Sequence, residues 1–374
     1  MDPCGIYIHV PFCKKKCDYC SFYSVPLKDE VILEQYVSRL CDEISSCSDV
    51  FPSLADTIYF GGGTPSLLKE EHLEKIISAV KNRFELSKGA EITLEMNPED
   101  FSHSKIDSCL KCGINRIVLG VQSLDVDLRR FIGRSTALVP DKTLKDFLSR
   151  SEFIRCVDLI AGIPGQTKEE IIYELEYITN LQPEHISLYL LSLEDGTSLK
   201  QRFPGDNEFS DFQARIWEVA IDYLVSKGFD HYEISNFAKP GFISRHNSKY
   251  WHFLPYAGFG PGAHSFTGKV RYYNDMSVED YIAEEFNYNI DIRTGNDVIV
   301  EFIITALRDL HGFSYADFER VTGIKMPDDI HYKIQLYITH GYMSDENGKI
   351  KFTRKGMFKS NLIIYSLADN YILS

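Results

Sequence analysis

Tyr7-Ile8-His9-Val10-Pro11-Phe12-Cys13-Lys14-Lys15-Lys16-Cys17-Asp18-Tyr19-Cys20 places three thiols within eight residues, directly after an apolar, strand-like run. Thiolates are soft ligands, suited to iron–sulfur clusters or zinc. The count of three matters. A cluster of four irons held by three cysteines leaves one iron open to a further ligand. The competing reading is a zinc ion with His9 as fourth ligand, although structural zinc sites usually draw on two short ligand pairs rather than one tight triplet.

A chain of 374 residues exceeds one ordinary domain and suggests a large domain plus a small one. Its nine cysteines form two tight groups and scattered singles, which reads as metal binding plus buried thiols, not a disulfide framework. The net charge of −14 leaves no general surface for nucleic acid, which needs clustered Lys and Arg. Met1-Asp2-Pro3-Cys4 lacks a basic region followed by an apolar core, and no apolar run reaches about 18 residues. The expectation is a cytoplasmic protein. Lys14, Lys15 and Lys16 are expected to form an exposed basic tip that could steer an acidic electron donor.

Outward from the cysteines, short β-branched runs alternate with helical patterns, which implies parallel strands joined by crossover helices. Strands are expected at Ile6–Val10, Thr57–Phe60, Glu91–Glu95, Arg116–Gly120, Val157–Ile160 and His185–Leu190. Helices are expected near Glu30–Cys47, Lys69–Arg83, Ser104–Lys111, Asp141–Leu148 and Lys168–Asn180. Six βα units are too few to close an eight-stranded barrel, so the α/β fold expected is a partial, open (β/α)6 barrel. In such sheets ligands gather at the C-terminal strand ends. The cysteine loop, Gly61-Gly62-Gly63-Thr64-Pro65, Glu95-Met96-Asn97-Pro98, Gly120-Val121-Gln122-Ser123 and Asp158 all fall there. A glycine triplet can present backbone directly to a small ligand, and equally serves a tight turn.

Cysteine triplet and glycine motif, in this order and one strand apart, resemble the radical S-adenosylmethionine (SAM) family, and within it the group of coproporphyrinogen dehydrogenases and HemW-type haem chaperones. The resemblance runs from Tyr7 to about Phe266 and weakens towards the end. It implies a [4Fe-4S] cluster on Cys13, Cys17 and Cys20, whose open iron takes the amino and carboxylate groups of SAM. Carried over by motif, Tyr7 and Tyr19 flank the SAM, Gly62, Gly63 and Thr64 contact its methionine part, and Glu95, Gln122, Arg134 and Asp158 complete the pocket. The residue types suit these roles, because carboxylates hold ammonium or hydroxyls, and an arginine can clamp a carboxylate with a planar fork.

Two places divide the group. The dehydrogenases carry another cysteine two positions after the triplet, where this chain has Ser21 and Phe22, and an N-terminal extension, where here the first strand begins by residue 5 or 6. Arg245-His246-Asn247-Ser248-Lys249-Tyr250-Trp251 matches the His-Asn-x-x-Tyr-Trp motif of the chaperones. An imidazole can ligate haem iron, and Tyr250 and Trp251 offer flat apolar area to a porphyrin. Alternatively, Tyr250–Phe266 seals the barrel edge with His246 hydrogen-bonded in place, and His252 or His264 is the ligand. The resemblance therefore implies haem as cargo, client haemoproteins, a flavodoxin- or ferredoxin-like donor and, as an open option, a homodimer. The enzymatic alternatives are oxygen-independent oxidative decarboxylation of coproporphyrinogen III and, more remotely, radical SAM methyl transfer.

The domain expectation is 1–290 for the barrel with its extension and 291–374 for a small, mostly helical unit. Val298–Asp309, Tyr315–Val321 and Asp328–Gly341 have helical spacing, Tyr342–Phe352 reads as a hairpin turning at Asn347-Gly348, and Lys355–Ala368 as a last helix. Three helices and a wing suggest a winged-helix-like arrangement. Its acidic surroundings and lack of a basic recognition face argue against DNA.

Overall fold

The computed structural model describes residues 2–372 apart from 135–138, 140, 206 and 284. Six strands, β1 (Cys4–Val10), β2 (Leu54–Gly62), β3 (Glu85–Met96), β4 (Arg116–Gln122), β5 (Ile154–Ala161) and β6 (His185–Leu190), pair in parallel in chain order. Each contains an expected strand, and the expected crossover helices lie between them.

Successive side chains of a strand point to opposite faces, and here the two faces differ in chemistry. One face is apolar and buried, as with Ile6 and Ile8 in β1, Ile58 and Phe60 in β2, or Ile117 and Leu119 in β4. It joins helix residues such as Leu33, Val37, Ile76 and Leu175 in one core. Burying each such side chain stabilises the fold by about 1.5–3 kcal/mol. The opposite face, turned into the barrel, carries Thr57 and Tyr59, then Glu91, Thr93 and Glu95, and across the sheet His185 and Ser187 in register with Cys156 and Asp158.

Helix entry points are specified locally. Asp29 caps Glu30–Ser45 by accepting from the Ile32 N–H at 3.0 Å, and Thr167 with Glu170 forms a capping box ahead of Lys168–Asn180.

The sheet continues past both ends of the six, to twelve strands. On one side β7 (Asp230–Glu233) and β8 (Asn236–Ala238) add to β6 in antiparallel fashion. On the other, β9 (Tyr256–Phe259) pairs in parallel with β1, and β10 (His264–Phe266), β11 (Val270–Tyr273) and β12 (Asn289–Ile292) follow antiparallel. Glu43 ties this extension to the helix Glu30–Ser45, its buried carboxylate accepting from the Gly260 N–H at 2.8 Å, the Tyr281 hydroxyl at 2.6 Å and the Tyr288 hydroxyl at 2.7 Å.

After residue 293 the chain forms helices Asn296–Ala306, Tyr315–Thr322 and Asp328–Thr339, which bury Phe302, Phe318 and Ile334. A hairpin of Met343–Glu346 and Lys349–Phe352 follows, turning through Asn347 and Gly348, both at positive φ, and then the helix Ser360–Ile372. This is the winged-helix-like arrangement expected. Among the described residues, no helix is long and apolar enough to cross a membrane.

Candidate functional site

Between β1 and the helix Glu30–Ser45 the chain loops over the C-terminal ends of the parallel strands and helps enclose a cavity of about 870 Å³. Cys13, Cys17, Tyr19 and Cys20 line it from the loop, Gly62, Gly63 and Thr64 from the end of β2, Glu95 from β3, Gln122 from β4, Arg134 from the loop beyond, and Asp158 from β5.

The cysteine loop is held by backbone bonds from Asp18 N–H to Ile132 C=O and from Leu199 N–H to Asp18 C=O, at 3.1 and 2.8 Å. Its three sulfurs do not crowd around a single-ion centre. Sulfurs sharing one tetrahedral zinc would sit roughly 3.8 Å apart. Among the described residues, the one trio of His, Cys, Asp or Glu donors within 4.8 Å of one another is Glu34, Glu71 and His72. His9 is also occupied, with Nδ1 3.0 Å from the Tyr7 hydroxyl and Nε2 2.8 Å from the Tyr23 carbonyl. The donor set suits a larger cluster with thiolates at its corners better than one zinc ion with His9.

Gly62 has φ +107°, and a Cβ there would come within 2.6 Å of the His9 ring. At Gly63 a Cβ would meet the Phe12 carbonyl oxygen at 2.5 Å, so the glycine loop and the strand entering the cysteine loop touch backbone to backbone. Only glycine permits that approach.

Burial pushes the Glu95 carboxyl up to about 7, against the bond it accepts from the Tyr59 hydroxyl at 2.7 Å. Burial likewise raises Asp158 to about 6, opposed by Ser187 and by the charges of Arg134 and Arg116. Burial disfavours the charged form of both carboxyls at the floor of one cavity, and a cationic ligand placed there would favour it. Arg134 faces them with Nη2 donating to the Asn97 side chain at 2.6 Å and to the Gly120 carbonyl at 2.7 Å.

Four of the expected site residues lie elsewhere. Tyr7 is beneath the floor, beside Tyr59 and below Gly61. His246, Tyr250 and Trp251 sit at the opposite end of the barrel, on the helix Arg245–Trp251. The His246 imidazole is 1 % exposed, with Nδ1 2.8 Å from the Thr57 hydroxyl and Nε2 2.9 Å from the Tyr250 hydroxyl, so neither nitrogen is open to a metal in this conformation. Burial lowers its pKa to about 3. Trp251 carries the Arg308 guanidinium over its ring at 4.9 Å. Of the rival imidazoles, His252 is 52 % exposed and bonded to Asp309 at 2.8 Å, and His264 is exposed and stacked on Tyr273.

Sequence reasoning placed Asn97 at the mouth within Glu95-Met96-Asn97-Pro98 but missed Tyr189, which lines the cavity, and Tyr59, which bonds to Glu95 beneath it. Tyr59 and Tyr189 were detectable as the polar members of alternating strands, at two-residue spacing from Gly61 and Ser187.

This arrangement, a cysteine triplet and a glycine turn at the C-terminal mouth of a partial barrel, is that of the radical SAM class. The Radical SAM superfamily model matches residues 7–178, and the HemN C-terminal domain model matches residues 294–358. The chain is 32 % identical to the haem chaperone HemW of Lactococcus lactis, covering 96 % of each. It is 31 % identical to HemW of Escherichia coli over 99 % of each. The protein belongs to the HemW family within that superfamily. Its fold is also that of Escherichia coli coproporphyrinogen III oxidase HemN, with TM-score 0.81 over 98 % of this chain and 90 % of that one, at 19 % identity.

Proposed function

We propose that the protein binds haem and delivers it to client haemoproteins, using a [4Fe-4S] cluster and SAM in the cavity at the barrel mouth. The observation that carries this reading is the end-to-end likeness to HemW chaperones, together with the full cysteine triplet those cofactors require. Cys13, Cys17 and Cys20 would hold the cluster, three protein thiolates leaving room beside it for SAM. When bound, the pair supplies one-electron reductive chemistry. The chain's own residues position it: Gly62, Gly63 and Thr64 offer backbone and hydroxyl to the methionine part, Arg134 offers a guanidinium, Tyr19 covers one side, and Glu95, Gln122 and Asp158 hold its polar groups. Lys14, Lys15 and Lys16, exposed at the rim, offer a landing place for an acidic flavodoxin- or ferredoxin-like donor.

For haem, Tyr250 and Trp251 supply aromatic surface. The iron ligand is sought first among the exposed imidazoles of His252 and His264, because His246 is buried and would have to leave Thr57 and Tyr250 to reach a metal.

The experiment that separates chaperone from enzyme is incubation of the reconstituted protein with coproporphyrinogen III, SAM and a reductant. No protoporphyrinogen is expected. Formation at a catalytic rate would replace this reading with oxidative decarboxylation.

A further inference from the structure

The helix Arg245–Trp251 is fixed beneath the barrel by contacts that leave its histidine no surface. The His246 N–H donates to Glu91 Oε1 at 3.1 Å, and the buried Lys249 ammonium lies 2.7 Å from Asp56 and 2.8 Å from the Pro3 carbonyl. Above this floor the side chains form a stack. The His246 ring packs 5.2 Å from the Tyr59 ring, and Tyr59 lies beside Tyr7 at 6.2 Å. The Tyr59 hydroxyl then reaches Glu95, and Glu95 lines the cavity. The stack has no slack at its upper end, where a Cβ on Gly61 would meet Tyr59, Tyr7 and Glu95 at 2.9, 3.1 and 3.2 Å. In so close-packed a column, the position of the lowest ring sets that of the uppermost carboxylate.

We propose that His246 is a positioning residue for the SAM pocket: through the Tyr59 ring it holds the Glu95 carboxylate in place at the cavity floor, and it is not the haem ligand. The proposal rests on the reading that the cavity takes SAM. It gives the His-Asn-x-x-Tyr-Trp motif a role at the opposite end of the barrel from where its sequence suggests haem should sit.

The Tyr59 hydroxyl and the Gly62 N–H favour the ionised form of Glu95, while burial and the Asp158 carboxylate oppose it. A displaced Tyr59 therefore makes Glu95 protonate at higher pH. His246 itself, held near 3 by burial, stays neutral over any ordinary assay range. His246 therefore cannot alter the pH dependence of SAM binding by its own titration, and a shift that matches Tyr59→Phe in direction and does not add to it in the double variant routes the effect through Tyr59 and Glu95.

The test is calorimetric titration of SAM into the reconstituted, cluster-loaded protein between pH 6 and 8.5, in wild type, Tyr59→Phe, His246→Ala and the double variant. Tyr59→Phe should weaken SAM binding about tenfold at neutral pH, the worth of one hydrogen bond to a charged group, and move the pH midpoint upward. His246→Ala should shift both in the same direction and leave the haem Soret band unchanged, and the double variant should be no worse than Tyr59→Phe alone. Additive losses, an unmoved midpoint in His246→Ala, or loss of its Soret band would overturn the proposal. If His246→Ala does not fold, Thr57→Val, which removes the Nδ1 partner, replaces it in the same cycle with the same expected and contrary results. A wild type that holds its cluster and binds no SAM would instead remove the cofactor reading on which the proposal stands.

Discussion

Arg134 Nη1 lies 3.6 Å from Cys17 Sγ, the one guanidinium in hydrogen-bond contact with a cysteine of the proposed cluster triplet among the described residues. A donor aimed at a cluster sulfur stabilises the more electron-rich, reduced cluster. Replacing Arg134 by Gln should therefore make the cluster harder to reduce, lowering its midpoint potential by some tens of mV, roughly 1 kcal/mol for one electron. A redox titration followed by electron paramagnetic resonance reads this directly, and an unchanged potential would show that the contact does not persist with the cluster in place.

Gly63 bears on the proposed cluster site as well as on the proposed SAM pocket. Gly63→Ala must displace the Phe12 and Val10 carbonyls, and with them the strand that delivers Cys13. It should reduce iron content after reconstitution. Gly62→Ala meets the His9 ring at 2.6 Å, a side chain rather than backbone, and a strained positive φ worth about 1–3 kcal/mol, so it should mainly weaken SAM binding and lower the melting temperature. Iron analysis and calorimetry on the two variants distinguish the effects.

Asp158 makes stability depend on pH in a definite direction. Its folded-state pKa is raised from 3.8 to about 6, so the native state holds the proton more tightly than the unfolded chain does. The associated stability is fully present below about 4 and is lost as pH rises through about 6. Asp158→Asn, which cannot ionise, should melt about 2 °C above wild type at pH 8 and show little difference at pH 4, in thermal melts of the cluster-free protein.

Glu43 fastens the antiparallel extension to the first helix. Glu43→Ala leaves the Gly260 N–H and the Tyr281 and Tyr288 hydroxyls without their acceptor. A cost of about 3 kcal/mol in urea unfolding is expected, and Glu43→Gln, which keeps one acceptor oxygen, should lose less.

The parallel strands were legible because each buries a β-branched or aromatic face, and the mouth residues because parallel α/β sheets bring their C-terminal strand ends together. For that reason the expected cluster and SAM residues, Tyr7 excepted, line one cavity. The sheet extension was harder to read. Strands such as His264–Phe266 are three or four residues long, too short to display a period. Nor does the sequence distinguish a histidine with both nitrogens bonded inside a barrel from one free for iron. That difference for His246 depends on Thr57, 189 residues away. Tyr59 escaped notice because its role comes from the rings stacked on it, although strand alternation had already turned it inward.

Haem delivery itself is tested by loading the reconstituted protein with haem and mixing it with excess apomyoglobin, following the Soret band in time. The result expected is a haem complex of measurable affinity that surrenders its haem to the apoprotein and leaves the protein intact and cluster-bound. A protein that takes up no haem, or that retains it against excess apomyoglobin, would contradict it.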